Sequence, residues 1–205
     1  MGIREQPAAA VDIAFDLEGK SLPRDNCSAL LREVVRLLPW VETERHTGIH
    51  HVRAIPTAYG TVLLARRAKL VLRIPEQRVP DANRLAGQTL DIGGYSLTIG
   101  SAKIRPLLPF ATLFAHLVVT PHEDEEIFEH DVAGWLDDME APCKLIGGKR
   151  HVLRSDDGEI TGFSLMLHGL TPERSVLLQQ LGLGDKRKFG CGIFIPHKGI
   201  AAVGS

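Results

Sequence analysis

Three histidines fall within six positions, His46, His50 and His51, with Arg45 and Arg53 beside them. Histidine titrates near neutrality, so such a cluster can take up or give a proton. Towards the other end, Gly182, Gly184, Gly190 and Gly192 surround three consecutive cations, Lys186, Arg187 and Lys188. Glycine lets backbone N–H groups come close to an anion, and the cations add positive charge, so this loop suits a phosphate backbone. The plainer alternative is a solvated turn. An acid–base histidine and a phosphate-holding loop together fit RNA chemistry. RNA carries its own nucleophile, the 2′-OH. A histidine that removes that proton, with a cation beside the phosphate, cuts the strand without a metal ion. A second donor must protonate the 5′-oxygen. General acid–base help of this kind is worth about 10²–10⁴-fold.

Other chemistries find less support. His46 and His50 are four apart, the spacing of one helix face, but Thr47-Gly48 disfavours a helix there. No nearby cysteine or carboxylate pair completes a tetrahedral set, so no metal and no cofactor is expected. Each histidine alone reads as a loop residue; it is the cluster that points to catalysis. His168 ends an apolar strand and reads as structural. His197-Lys198 follow the last strand and read either as RNA contacts or as an exposed chain end. Cys27, Cys143 and Cys191 are odd in number and widely spaced, which suits a reducing compartment.

The elements that must position these residues follow from periodicity. Val11 to Leu17 alternates at period two and predicts a half-buried strand. Leu30, Leu31, Val34, Val35, Leu37 and Leu38 form a helical stripe that Pro39 ends. A loop enters a strand around Ile49 to Ile55. Thr61–Leu64 and Ala68–Ile74 are strand material, with Arg66, Arg67, Lys69 and Arg73 interleaved. A short helix at 80–86 and a hairpin turning at Gly93-Gly94 complete a βαββαβ pattern, the ferredoxin-like order. After a proline-rich join the pattern restarts. It comprises a strand at 111–120, an acidic-faced helix at 121–139, a hairpin turning at Asp156-Asp157-Gly158, a helix from Thr171 to Leu181, and a strand at 193–195. The expected fold is α+β, two tandem ferredoxin-like domains, residues 1–108 and 109–205. The catalytic histidines fall in the first and the glycine loop in the second.

Composition constrains rather than decides. The chain has 205 residues, 44% hydrophobic and 24% charged, as expected of a globular protein. No apolar run is long enough for a membrane span and no signal-peptide core opens the chain, so a cytoplasmic location is expected. The formal net charge of −1 hides a division. Residues 123–140 hold nine acids and no Lys or Arg, while the portions on either side are each net positive. Aromatics make up 5%, and no RNP-type strand motif is present. Bound RNA should therefore be held by backbone charge contacts more than by stacking. The acidic stretch also admits a protein-scaffold reading, which leaves the glycine–cation loop without a role.

Several stretches carry a resemblance to a known family. They are Thr47-Gly48-Ile49-His50, Arg66 to Arg73, Gly87-Gln88-Thr89-Leu90, Phe163 to Leu170, and Gly190-Cys191-Gly192-Ile193-Phe194-Ile195-Pro196-His197-Lys198. Together the chain resembles the CRISPR-associated repeat-processing endoribonucleases of the Cas-six kind, MYXAN subtype, within the RAMP superfamily. The resemblance implies tandem ferredoxin-like domains and metal-independent cleavage of the CRISPR precursor transcript inside each repeat. The products would be a 5′-hydroxyl and a 2′,3′-cyclic or 3′-phosphate end. It places the catalytic histidine after the first helix, with His50 first, His46 second and His51 third. It maps the RNA-holding glycine loop onto Gly182 to Gly192, with Lys186, Arg187 and Lys188 as phosphate contacts; the residues themselves add Arg53, Arg66, Arg67, Lys69, Arg73, Gly190, Gly192, His197 and Lys198 as candidate RNA contacts. The partners implied are precursor and processed CRISPR repeat RNA, and other subunits of an effector complex. A noncatalytic RNA-binding subunit of such a complex is the alternative function.

Overall fold

The first strand, β1 (Ala10–Glu18), is the centre of the first half of the chain. In this computed structural model, which describes residues 8–197, it pairs with two later strands at once. The elements around it are β2 (Ser21–Pro23), helix α1 (Cys27–Leu37), the single turn α2 (Trp40–Thr43), β3 (Gly48–Ile49) and β4 (Ala54–Pro56). Then come β5 (Thr61–Leu64), β6 (Lys69–Pro75), the short α3 (Val79–Ala82) between two 3-10 turns, β7 (Thr89–Ile92) and β8 (Tyr95–Pro106). The main sheet has the order β3-β6-β1-β8-β7, all antiparallel. Successive side chains of a strand alternate between its faces. Ile13 and Phe15 thus point inward beside Leu70, Leu72, Ile74, Leu97 and Ile99, onto Leu30 and Val34 of α1 and Leu38 just past its end. Asp12, Ala14 and Asp16 are left on the outer face. A small second sheet, β2-β5-β4, was not foreseen; its strands are three or four residues long and too short for alternation to show.

The second half repeats the plan. β9 (Thr112–Val118) is followed by α4 (Glu125–Asp138), the hairpin β10 (Lys144–Ser155) and β11 (Gly158–His168), α5 (Pro172–Leu181) and β12 (Ile195–Pro196). Sheet order is β10-β11-β9-β12. Its core joins Leu113, Ala115, Leu165 and Leu167 to Phe128, Val132 and Leu136 of α4 and Leu178 of α5. The acidic helix begins at Glu125, later than the sequence suggests, because Asp124 caps it: its Oδ1 accepts from the N–H groups of Glu126 (2.9 Å) and Ile127 (3.1 Å). The chain therefore holds two βαββαβ units, the tandem ferredoxin-like fold.

The compact units do not follow a single cut in the sequence. One comprises the residues up to Pro106 together with Leu153–Ile160 and Arg187–Gly190; the other comprises Leu107–Val152, Thr161–Lys186 and the residues from Cys191 on. Part of the glycine loop thus belongs to the first unit. No helix among the described residues is long and apolar enough to cross a membrane.

Candidate active site

The first unit brings His50, Asp12, Arg73 and Arg187 together on the outer face of its sheet. Register explains the first three. β6 runs antiparallel to β1, with Asp12 opposite Arg73 and Asp16 opposite Lys69. β3 adds beside β6 with Gly48 opposite Arg73, and the His50 N–H donates to the Val71 carbonyl at 2.9 Å. That bond continues the pairing by one residue. His50 therefore shares a face with Val71 and Arg73, while Ile49 turns into the core at 2% exposure.

Asp12 accepts a two-pronged clamp from Arg73, Nε to Oδ1 at 2.8 Å and Nη2 to Oδ2 at 3.0 Å. The planar guanidinium matches a carboxylate in this way, and the pair is held rigidly. His50 Nε2 lies 3.4 Å from the same Oδ1. Burial pushes the Asp12 carboxyl up, but its partners His50 and Arg73 outweigh that and hold it well below the usual carboxylate range. Burial pushes His50 below its ordinary value, Arg73 and Arg187 add to the shift, and Asp12 opposes it without prevailing. At neutral pH the imidazole is therefore uncharged, as a proton acceptor must be.

Arg187 arrives on a 3-10 turn, Arg187–Phe189, that packs against β3 and α1. It is 8% exposed, and none of its three guanidinium nitrogens has a hydrogen-bond partner. Burial, then repulsion from Arg73, lowers its pKa to about 10, with Asp12 pulling the other way. It remains a cation at neutral pH. A buried guanidinium left unpartnered costs several kcal/mol, roughly 3–5 where a partner has been removed. Such a group is the natural seat of an anion.

His51 is exposed. Its ring lies over Gly190: a Cβ added there would sit 2.8 Å from Cε1 and Nε2, and Gly190 has φ +90°. Only glycine fits that close approach. Lys188 Nζ donates to the Glu42 carbonyl, which ties the same turn to α2. His46 is half-buried in the turn after α2.

The remaining site residues from the sequence are placed differently. Arg73, grouped there with the surface cations, is wholly buried at 0% exposure because Asp12 holds it against the sheet. Lys69 is engaged by Asp16. Arg53, Arg66 and Arg67 are exposed, the last two in the turn between β5 and β6. Lys186, Gly192 and His197 belong to the second unit. Lys186 is exposed; Gly192 has φ +63° and donates its N–H to the Leu117 carbonyl at 2.7 Å; the His197 ring lies 5.9 Å from that of Phe114. Lys198 lies outside the described residues. His168, read as structural, shares a 2.7 Å hydrogen bond with Thr112. Among the described residues no group of three or more His, Cys, Asp or Glu is arranged to hold a metal ion.

Sequence reasoning missed Asp12, and with it the exposed Lys103 and Arg105, which lie opposite Ala14 and Asp12 on β8. A signal was available. Asp12 and Asp16 are four apart on one strand, as are Lys69 and Arg73 on another. At period two each pair shares a face, and antiparallel pairing can match both acids to both bases.

Comparison with known proteins agrees with this architecture. The family model described as Cas6 CRISPR matches residues 11–199. The CRISPR-associated endonuclease Cas6 of Myxococcus xanthus is 31% identical over 196 residues, 95% of this chain and 85% of that protein. A solved structure of a CRISPR-associated protein Cas6 superposes with a TM-score of 0.67, over 92% of this chain and 100% of its own, at 9% identity. That of a Cas6-related protein from Pyrococcus furiosus gives 0.63 over 91% and 98%, at 13% identity. The match runs through both ferredoxin-like units and through the segment that carries His50 and Arg187, and the chain belongs to the Cas6 family.

Proposed function

We propose that this chain is an endoribonuclease that cuts CRISPR precursor RNA within its repeats, without a metal ion, by attack of the RNA's own 2′-OH. The observation that carries the reading is an uncharged, largely buried His50 beside a buried Arg187 whose nitrogens have no protein partner. His50 takes the 2′-OH proton. The 2′-oxygen attacks phosphorus, the bond from phosphorus to the 5′-oxygen breaks, and a proton donor completes the 5′-hydroxyl. The other product is a 2′,3′-cyclic phosphate. Arg187 holds the phosphate oxygens, where charge builds up as the 2′-oxygen adds. The exposed Arg66, Arg67, Lys103 and Arg105 hold neighbouring phosphates through screened contacts. Membership of the Cas6 family and the endonuclease name of the Myxococcus relative support the substrate class.

The test is cleavage of labelled repeat RNA in EDTA by the wild type and by His50→Ala, with a 2′-deoxy cut site as control. The expected result is cleavage in chelator, none of the 2′-deoxy substrate, and a rate about 10²–10⁴-fold lower in the variant with RNA binding retained. Cleavage that EDTA abolishes would overturn the metal-free chemistry. Full activity in His50→Ala would move the base to His51 or His46. Binding with no cleavage by the wild type would make the chain a noncatalytic subunit.

A further inference from the structure

The chemistry above gives no task to Asp12, although its carboxylate is held against the ring of the proposed base. We infer that Asp12 is a positioning residue: pinned by Arg73, it keeps the proton of the neutral His50 imidazole on Nε2, so that Nδ1 carries the lone pair that accepts the 2′-OH proton. This rests on the proposed role of His50.

Three observations carry it. First, His50 Nε2 is buried and lies 3.4 Å from Asp12 Oδ1, a close approach without a hydrogen bond. An ionised carboxylate can only accept, and a neutral imidazole has one N–H. A proton on the nitrogen facing the carboxylate is favoured over a lone pair there, which leaves the lone pair on Nδ1. Second, the His50 side chain keeps 15% exposure although Nε2 is sealed, so the accessible part of the side chain excludes that nitrogen. Third, Asp12 has no freedom to turn away, because both its oxygens are held by Arg73, whose side chain is 1% exposed. A third group that orients the base in this way recurs in acid–base sites built on other folds.

The charges that face His50 come from three elements: Asp12 on β1, Arg73 on β6 and Arg187 on the turn 187–189. Two are cations that oppose the imidazolium formed when the 2′-OH proton arrives. Asp12 alone favours it. At 3.4 Å the neutral ring makes no hydrogen bond to the carboxylate, and protonation favours closing the gap into a charge-assisted one.

Two measurements test this. In the intact wild-type chain, nitrogen-15 NMR of the histidine side chains should find His50 with the proton on Nε2 and a bare Nδ1; the opposite tautomer overturns the inference. In single-turnover cleavage of repeat RNA, Asp12→Asn should lower the rate by about 10²-fold or more. RNA affinity should stay within about twofold, and the acid limb of the pH–rate profile should move to lower pH, since the remaining neighbours are both cations. A rate near that of the wild type, or a rate loss with the limb unmoved, overturns the inference in favour of a structural role. If Asp12→Asn does not fold because Arg73 loses its partner, the pair Asp12→Asn with Arg73→Gln removes both charges, and its rate loss at retained RNA affinity is read in the same way. Failure of the proposed function is distinguishable: His50→Ala would then cleave normally, while the tautomer would still report what Asp12 does.

Discussion

Replacing Arg187 by methionine should make the protein more stable and nearly inactive. The substitution keeps a long unbranched stem and removes the guanidinium. In the fold that group's pKa is pushed down to about 10, chiefly by burial. At ~1.4 kcal/mol per pKa unit, the charged form is disfavoured at this position by about 3 kcal/mol. Not all of that is regained, because Asp12 loses an attractive neighbour, so the expected gain is about 1–2 kcal/mol. For a chain of this size the melting temperature should rise by roughly 2–8 °C. If Arg187 holds the reacting phosphate, single-turnover cleavage should fall by about 10²–10³-fold. A non-cleavable 2′-deoxy repeat RNA should stabilise the wild type more than the variant. Thermal denaturation with and without that RNA, and the cleavage rate, together make the assay. A variant that melts lower and cleaves at the wild-type rate would refute the reasoning: Arg187 would then be structural, satisfied by the fold in a way its unpartnered nitrogens do not suggest.

Three further expectations follow from the same unit. Burial, with Arg73 and Arg187, holds His50 below its ordinary value of 6.5, so the acid limb of the cleavage profile should lie below that pH. The unfolded chain binds a proton that folded His50 refuses. The stability contributed by this residue is therefore present above 6.5 and lost as pH falls towards the folded value, which denaturation at a series of pH values would measure. Gly190→Ala drives a Cβ against the His51 ring and strains a backbone at φ +90°. It should leave the chain folded, displace the turn that carries Arg187, and lower cleavage by up to about 10²-fold, as a misplacement of about 1 Å can. Wild-type cleavage in that variant would separate the turn from the chemistry.

Much of the fold was legible because each half has one long strand and one amphipathic helix of clear period. Ile13 and Phe15, and Leu30 with Val34, face inward as their spacing requires. The turns at Gly93-Gly94 and Asp156-Asp157-Gly158 announce their hairpins. The site was legible only in part. Gly48-Ile49-His50 and the glycine loop could be named, but alternation cannot tell a solvated polar face from one that another segment covers. Lys69 and Arg73 therefore read as surface cations, whereas one is paired and the other buried. The three cations 186–188 looked alike in sequence, yet Lys186 is exposed, Lys188 is tied to Glu42, and Arg187 is buried in the first unit. That division depends on where a turn of three residues packs, about 140 positions from its neighbour on β3, and no local pattern encodes it.

The charge of the cluster would follow the charge of the proposed reaction. With His50 neutral, Asp12, Arg73 and Arg187 sum to one positive charge. A phosphodiester brings one negative charge, so the bound substrate is balanced in a region where unbalanced charge is expensive. In the proposed reaction, the 2′-oxygen adds to phosphorus as its proton moves to His50, and the phosphorane carries two negative charges. The cluster then carries two positive ones. Neither state leaves a net charge buried, and the groups that supply the match are fixed before the substrate arrives, as electrostatic catalysis requires. The same arithmetic gives Asp12 its place. Without it the cluster would begin at two positive charges and reach three, over-matched at both stages, with the imidazolium facing cations alone. A site that needed only to grip RNA would gain nothing from a buried acid. A site that must make a proton acceptor beside two guanidinium groups needs one.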